Sequence, residues 1–111
     1  MAPKTGFQIV SGYDKVTIET SLKANAIAYF GYIIDEEEKK GLILQPGDEL
    51  ELSAKEVLKI TAANASGVDI QINNIPVSLG EGGQVVAKVV RWYRDSEDTD
   101  LYHLIIDDWE K

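Results

Sequence analysis

The sequence predicts an all-β fold: a small β-sandwich or partly closed barrel of about seven to nine short, mostly antiparallel strands. Three observations carry this. Short runs place one set of residues opposite another with a period of two, as Val16, Ile18, Thr20 and Leu22 do against Thr17, Glu19 and Ser21. Turn chemistry such as Gln45-Pro46-Gly47-Asp48 and Asn73-Asn74 separates the runs, at roughly the 8–12-residue spacing of sandwiches and barrels. Apolar residues make up 44% of the 111, enough for one core without cross-links.

In order, residues 1–6 read as a disordered lead. Phe7 to Val10 forms a short strand ended by Ser11-Gly12, and Val16 to Leu22 a half-buried one. Ala24 to Ile34 is richer. Ala26, Ala28, Phe30, Tyr32 and Ile34 share one face, and Ile27, Tyr29 and Ile33 the other. Apolar residues on both faces predict a central strand, covered by the core on one side and by a loop or partner on the other. Asp35 to Gly41 reads as a charged, solvated loop. Leu42 to Leu44 resumes a strand, and Pro46-Gly47 fits a type II turn, proline presetting φ and glycine taking φ above zero.

Leu50 and Leu52 alternate with Glu49 and Glu51, and Val57 to Ala62 follows as a strand. Val68, Ile70 and Ile72 point inward before Asn73-Asn74, whose side chains tolerate left-handed backbone. Pro76 marks Ile75 to Leu79 as an edge strand or its start. After Gly80-Glu81-Gly82-Gly83, Gln84 to Tyr93 is valine-rich. Residues 7–93 thus form the sandwich. Residues 94–111 add an acidic turn and a tail packed on the same domain. Leu101, Leu104, Ile105 and Trp109 would share a helical face, whereas Tyr102, Leu104 and Ile106 would share a strand face, pairing back onto Val85 to Tyr93. The strand is the preferred reading.

Composition excludes several functions. A formal net charge of −8 argues against nucleic-acid binding, which draws its affinity from lysine and arginine on phosphates. It equally opposes direct binding to anionic lipid. With no cysteine, disulfides, thiolate metal sites and cysteine nucleophiles are absent. The N-terminal MAPKTGFQIV lacks the apolar stretch of a signal peptide, and the longest apolar run, Ala26 to Ile34, is too short to span a membrane.

No catalytic constellation stands out, and no enzyme activity, metal or cofactor is expected. The lone histidine, His103, lacks a visible serine or metal-ligand companion. Glu49 and Glu51 share a wet strand face, while Asp107 and Asp108 point oppositely, so nothing selects an acid–base pair. An EF-hand loop starting at Asp95 would need glycine at Asp100 and glutamate at Ile106. The glycine-rich 80–83 segment precedes a strand rather than the helix that a phosphate cradle needs. Aromatic residues supply the one plausible binding surface. Tyr32 and Trp92 are expected to cap the core, which leaves Tyr29, Tyr93 and Trp109 as candidates for stacking on a sugar or docking a protein.

Several spaced features occur together in order. Leu44-Gln45-Pro46-Gly47-Asp48-Glu49 is followed by Leu58-Lys59-Ile60 and Asn64-Ala65, then by Val68-x-Ile70-x-Ile72-Asn73-Asn74-x-Pro76-Val77, and last by Gly83-Gln84-Val85-Val86 leading to Val89-Val90-Arg91-Trp92. Over Val16 to Trp92 the chain resembles the C-terminal domain of the RodZ family, bacterial cell-shape factors that join a cytoplasmic helix-turn-helix domain to an extracytoplasmic β-domain through one transmembrane helix. The resemblance implies a non-enzymatic, extracytoplasmic binding or regulatory module near peptidoglycan synthesis. Its partner would be a protein of the wall-elongation machinery, and its membrane anchor would lie upstream. That family usually turns its early hairpin with a compact Asp-Gly, where this chain has the longer stretch Asp35 to Gly41. The residues alone leave a free-standing carbohydrate-binding sandwich as the alternative, with an acidic two-carboxylate hydrolase behind it.

Overall fold

The computed structural model describes residues 7–64, 67–77 and 85–108. Ten strands lie among them: β1 (Phe7–Gly12), β2 (Ile18–Ala24), β3 (Ala28–Ile34), β4 (Glu38–Leu44), β5 (Glu49–Ala54), β6 (Val57–Ala63), β7 (Val68–Ile72), β8 (Ile75–Val77), β9 (Val85–Arg94) and β10 (Tyr102–Asp108). This exceeds the seven to nine expected. The residues 1–6 read as a lead, the 80–83 glycine segment and Trp109 lie outside the described residues. No helix among the described residues is long and apolar enough to cross a membrane.

The strands build two sheets that do not close into a barrel. One has six strands in the order β1-β10-β9-β6-β3-β4, the other four in the order β5-β2-β7-β8. Every pairing is antiparallel. Alternation in sequence becomes alternation in burial: β2 reads buried and exposed in strict turn, and so does β7. Ile18, Leu22, Ile70 and Ile72 from the smaller sheet meet Phe30, Leu58, Ile60, Val90 and Leu104 from the larger in one core. Within it Phe30 and Tyr32 stand 6.4 Å apart, tilted by 43°. Trp92 packs against its margin, and its indole N–H donates to the Val16 carbonyl at 3.1 Å. One misfit remains inside. Thr20 is 2% exposed and its hydroxyl has no hydrogen-bond partner among the described residues. Thr20→Val keeps the shape and removes the orphaned group, so a gain of about 1 kcal/mol is expected in urea denaturation.

Turns follow the sequence where the residue type fits the backbone. Gly47 has φ 93°, and the Asp48 N–H closes the turn onto the Gln45 carbonyl at 3.0 Å. This corner carries the chain from the larger sheet to the smaller and is tied to the end of β2, since the Gly47 N–H donates to the Ala24 carbonyl at 2.8 Å. Asn73 and Asn74, at φ 51° and 68°, join β7 to β8. The Asn73 side-chain oxygen also accepts from the Glu19 N–H at 2.8 Å, anchoring the turn to β2.

One turn corrects the sequence reading. Asp35 to Gly41 is not a long solvated loop, because Glu38 to Gly41 already belong to β4 and pair with β3. Asp35 (φ 51°) and Glu36 (φ 62°) alone make a left-handed turn, closed by the Glu37 N–H on the Ile34 carbonyl at 3.0 Å. Three residues, Asp35 to Glu37, separate the paired Ile34 and Glu38, a short hairpin loop. Non-glycine chemistry concealed it, since an L-residue in this conformation costs about 1–2 kcal/mol. Glu36 has only an exposed ion pair with Lys59 at 3.5 Å to offset that cost. Glu36→Gly is therefore expected to stabilise the protein by about 0.5–1 kcal/mol, read from the urea midpoint.

Asp35 holds the neighbouring corner together. Its carboxylate accepts from the N–H groups of Lys55 (2.9 Å) and Glu56 (2.7 Å), in the turn between β5 and β6, and of Val57 (3.1 Å), which opens β6. Partial burial pushes this carboxyl up, but the three N–H groups and the Lys55 charge outweigh it, so it lies below the ordinary value.

Candidate functional site

The outer face of the six-stranded sheet is where the chain leaves apolar groups uncovered. Register fixes the layout. Ile43, Tyr29, Ala63 and Val85 stand directly opposite one another across β4, β3, β6 and β9. Ile43 is 66%, Tyr29 47% and Val85 76% exposed. The next row is Gly41, Gly31, Thr61 and Ala87, and the one after it Lys39, Ile33, Lys59 and Val89.

The glycine pair shapes this surface. A Cβ on Gly41 would collide with the Tyr29 hydroxyl and stand 3.1 Å from the ring's Cζ, and one on Gly31 would lie 2.7 Å from Thr61 Oγ1. Only residues without a Cβ let the tyrosine lie down along the sheet. Beside it runs an open trough of about 700 Å3, bordered by Tyr29, Ile33, Lys39, Lys40, Lys59 and Thr61. Lysines dominate this border although the chain carries 19 acidic against 11 basic residues. The cover expected over β3, a loop or a partner, is not supplied by the described residues at Tyr29.

Further along, the same face closes. Ile105 is 1% exposed, between Arg91 on β9 and Gln8 on β1. Tyr93 stands opposite His103, half-buried, with the Arg91 guanidinium 5.7 Å from its ring centre. Tyr29 shares a row with Val85, eight positions before Tyr93 on the same strand. At the rise of an extended strand the two rings are roughly 25 Å apart, so they do not form one platform.

A second polar cluster lay hidden in the sequence. Ser11 pairs with His103 across β1 and β10, and their side chains meet at 2.7 Å through His103 Nδ1. His103 Nε2 lies 2.8 Å from Asp95 Oδ1. The Gln8 amide nitrogen donates to Ser11 Oγ at 2.9 Å. The ionised Asp95 carboxylate only accepts, so Nε2–H donates to it, and in the neutral imidazole Nδ1 then accepts from the Ser11 hydroxyl. Asp95 Oδ2 accepts from the Glu97 and Asp98 N–H groups. The His103 bond first, then these N–H groups, lower the Asp95 carboxyl to about 2. Serine, histidine and aspartate here pin β1 and the acidic turn to β10, and the serine oxygen is engaged on both sides. Neither sequence spacing nor composition linked Ser11 to a residue 92 positions away.

Elsewhere polar side chains serve the surface. Arg94 and Lys15 both sit about 5.5 Å from the Tyr102 ring centre, and Lys88 pairs with Asp108. Among the described residues no three histidine or acidic side chains are placed to hold a metal ion.

Fold and surface together define an antiparallel β-sandwich domain whose larger sheet is open at one end. A family model for the RodZ C-terminal domain matches residues 35–90. The chain belongs to that family and is a RodZ-like cell-shape protein domain. The matched segment runs from the Asp35 turn through β9 as far as Val90, and so contains the β4 and β6 walls of the trough. No curated protein and no solved structure matches the chain.

Proposed function

We propose that this domain is a non-enzymatic, extracytoplasmic binding and regulatory module of a membrane-anchored cell-shape protein. It docks a protein of the wall-elongation machinery, close to peptidoglycan synthesis. The observation that carries the reading is the uncovered row Ile43, Tyr29 and Val85 beside the lysine-bordered trough. Exposed aliphatic and aromatic groups in one contiguous row suit a protein interface better than a folded monomer's solvent face.

An antibody to the domain, applied to fractionated cells and protease-treated spheroplasts, tests the location. A longer membrane-bound species clipped from outside is expected, and a cytoplasmic species near this size overturns it. A photo-crosslinking residue in place of Ile43 tests the surface in the same cells. It should capture a wall-synthesis protein, whereas the same probe at Glu51, on the other sheet, should not.

A carbohydrate-binding module is the second reading, favoured by the Tyr29 ring lying over two glycines while 47% exposed. Saturable affinity for isolated glycan strands, lost in Tyr29→Ala, would select it.

A further inference from the structure

We infer that the trough and the β4 edge receive an extended acidic segment of the partner protein, added to the six-stranded sheet as a further strand beside β4. This inference rests on the binding-module reading and names the partner's chemistry.

The four sheet edges are not equivalent. β1 is interrupted by a register shift between Gln8 and Val10, and a bulged strand is a poor template. β8 is three residues long and contains Pro76, which removes a backbone donor. β5 is regular but presents Glu49 and Glu51, which repel an acidic strand. β4 pairs with β3 in unbroken register over seven residues, contains no proline, carries Lys39 and Lys40 against the one Glu38, and has no neighbour on its other side among the described residues. Its outward N–H and C=O groups are therefore available for strand addition.

Charge selects the occupant. Lys39 lies on the trough side of β4 in one row with Lys59, and Lys40 follows it. Lys59 meets Glu36 at 3.5 Å, whereas Lys39 and Lys40 stand on the edge strand itself. Two copies of β4 paired antiparallel about Gly41 would set Lys39 opposite Ile43 and Lys40 opposite Leu42, which gives neither lysine a directly opposed carboxylate. An acidic strand meets opposite charge instead: a glutamate opposite Lys39 pairs with it, and an apolar residue four positions along on the same face comes beside Ile43 and Tyr29.

The test uses the 111-residue chain and a fluorescein-labelled octapeptide with valines in one half and glutamates in the other, so that both kinds of side chain reach the face that carries Ile43 and Lys39. Controls are the lysine–valine peptide, the glutamate peptide N-methylated at alternate residues, and polygalacturonate as a carboxylated glycan. The inference expects saturable anisotropy for the glutamate peptide alone, weakened by salt. Binding should fall about tenfold in Lys39→Glu and by a similar factor on N-methylation. The N-methylated probe needs no protein variant, so a misfolded mutant cannot obscure the answer.

Equal binding of the lysine peptide, indifference to N-methylation, tighter binding of polygalacturonate, or no binding of any probe each overturns it. Concentration-dependent dimerisation in sedimentation, with peptide excluded, would give the edge to a second copy and also overturn it. If cross-linking at Ile43 still captures a wall-synthesis protein while the acidic peptide fails, the binding module stands and the partner chemistry falls.

Discussion

Phe30→Ala is expected to cost about 3–5 kcal/mol, the range for emptying a buried aromatic site. Phe30 is 0% exposed, lies midway along β3, and stands opposite Leu42 on β4 and Ala62 on β6. Its ring is part of the single core that both sheets share, so the cavity cannot be refilled by moving one loop. A domain of this size has about 5–15 kcal/mol to lose, and the variant should populate unfolded chains at moderate temperature. Phe30→Leu leaves most of the volume and should cost less than about 2 kcal/mol. Urea denaturation of the three proteins measures both values. A loss below about 1 kcal/mol in Phe30→Ala would mean that the ring is not in the core.

The second large effect is at Asp35. Removing its carboxylate in Asp35→Ala leaves the Lys55, Glu56 and Val57 N–H groups without their acceptor and puts alanine at φ 51°. Charged hydrogen bonds and left-handed strain together give about 2–3 kcal/mol. Asparagine tolerates the backbone and keeps one acceptor oxygen, so Asp35→Asn should lose roughly half of that.

The pH dependence follows from the direction of the shift. Asp35 is more acidic folded than unfolded, so its contribution is complete above the ordinary carboxylate value and disappears as pH falls through the folded value. Asp95 obeys the same sign, and its window runs from about 4 down to about 2. Stability measured by urea titration between pH 7 and pH 2 should fall along this limb in the parent protein. The fall should be shallower in Asp35→Asn and in Asp95→Asn. An unchanged acid limb in both variants would refute the assignment of these carboxylates.

The location of each strand was largely legible, because a half-buried strand writes its own two-residue period. β2, with Ile18, Leu22 and Ala24 buried between exposed neighbours, is the plainest example. Pro46-Gly47 and Asn73-Asn74 were legible for a different reason: their side chains are suited to the backbone they adopt. Asp35-Glu36 adopts a similarly tight turn without such residues, so it read as part of a long loop. At the tail, Leu101, Leu104 and Ile105 matched a helix as readily as Tyr102, Leu104 and Ile106 matched a strand. Pairing of β10 with both β9 and β1 decided between them, an arrangement that local pattern does not contain.

The candidate site was legible only in part. Tyr29 could be picked out as an outward-facing aromatic on β3, but its neighbours come from strands that sequence does not order. Gly31 and Gly41 act together because β3 and β4 align them, and Lys39 and Lys59 share a row because both strands pair with β3. The Ser11–His103–Asp95 chain depends likewise on β1 returning to β10.

By itself the sequence determined an acidic, cysteine-free, all-β chain, the residues that face its core, and the pattern by which it resembles the RodZ C-terminal domain. All of these are local quantities, set by side-chain chemistry and a period of two. Tertiary structure alone decided which sheet face stays open, which edge is regular and basic, and where Tyr29 lies. These depend on register between strands distant in sequence, and a shift of one residue would turn every side chain to the opposite face.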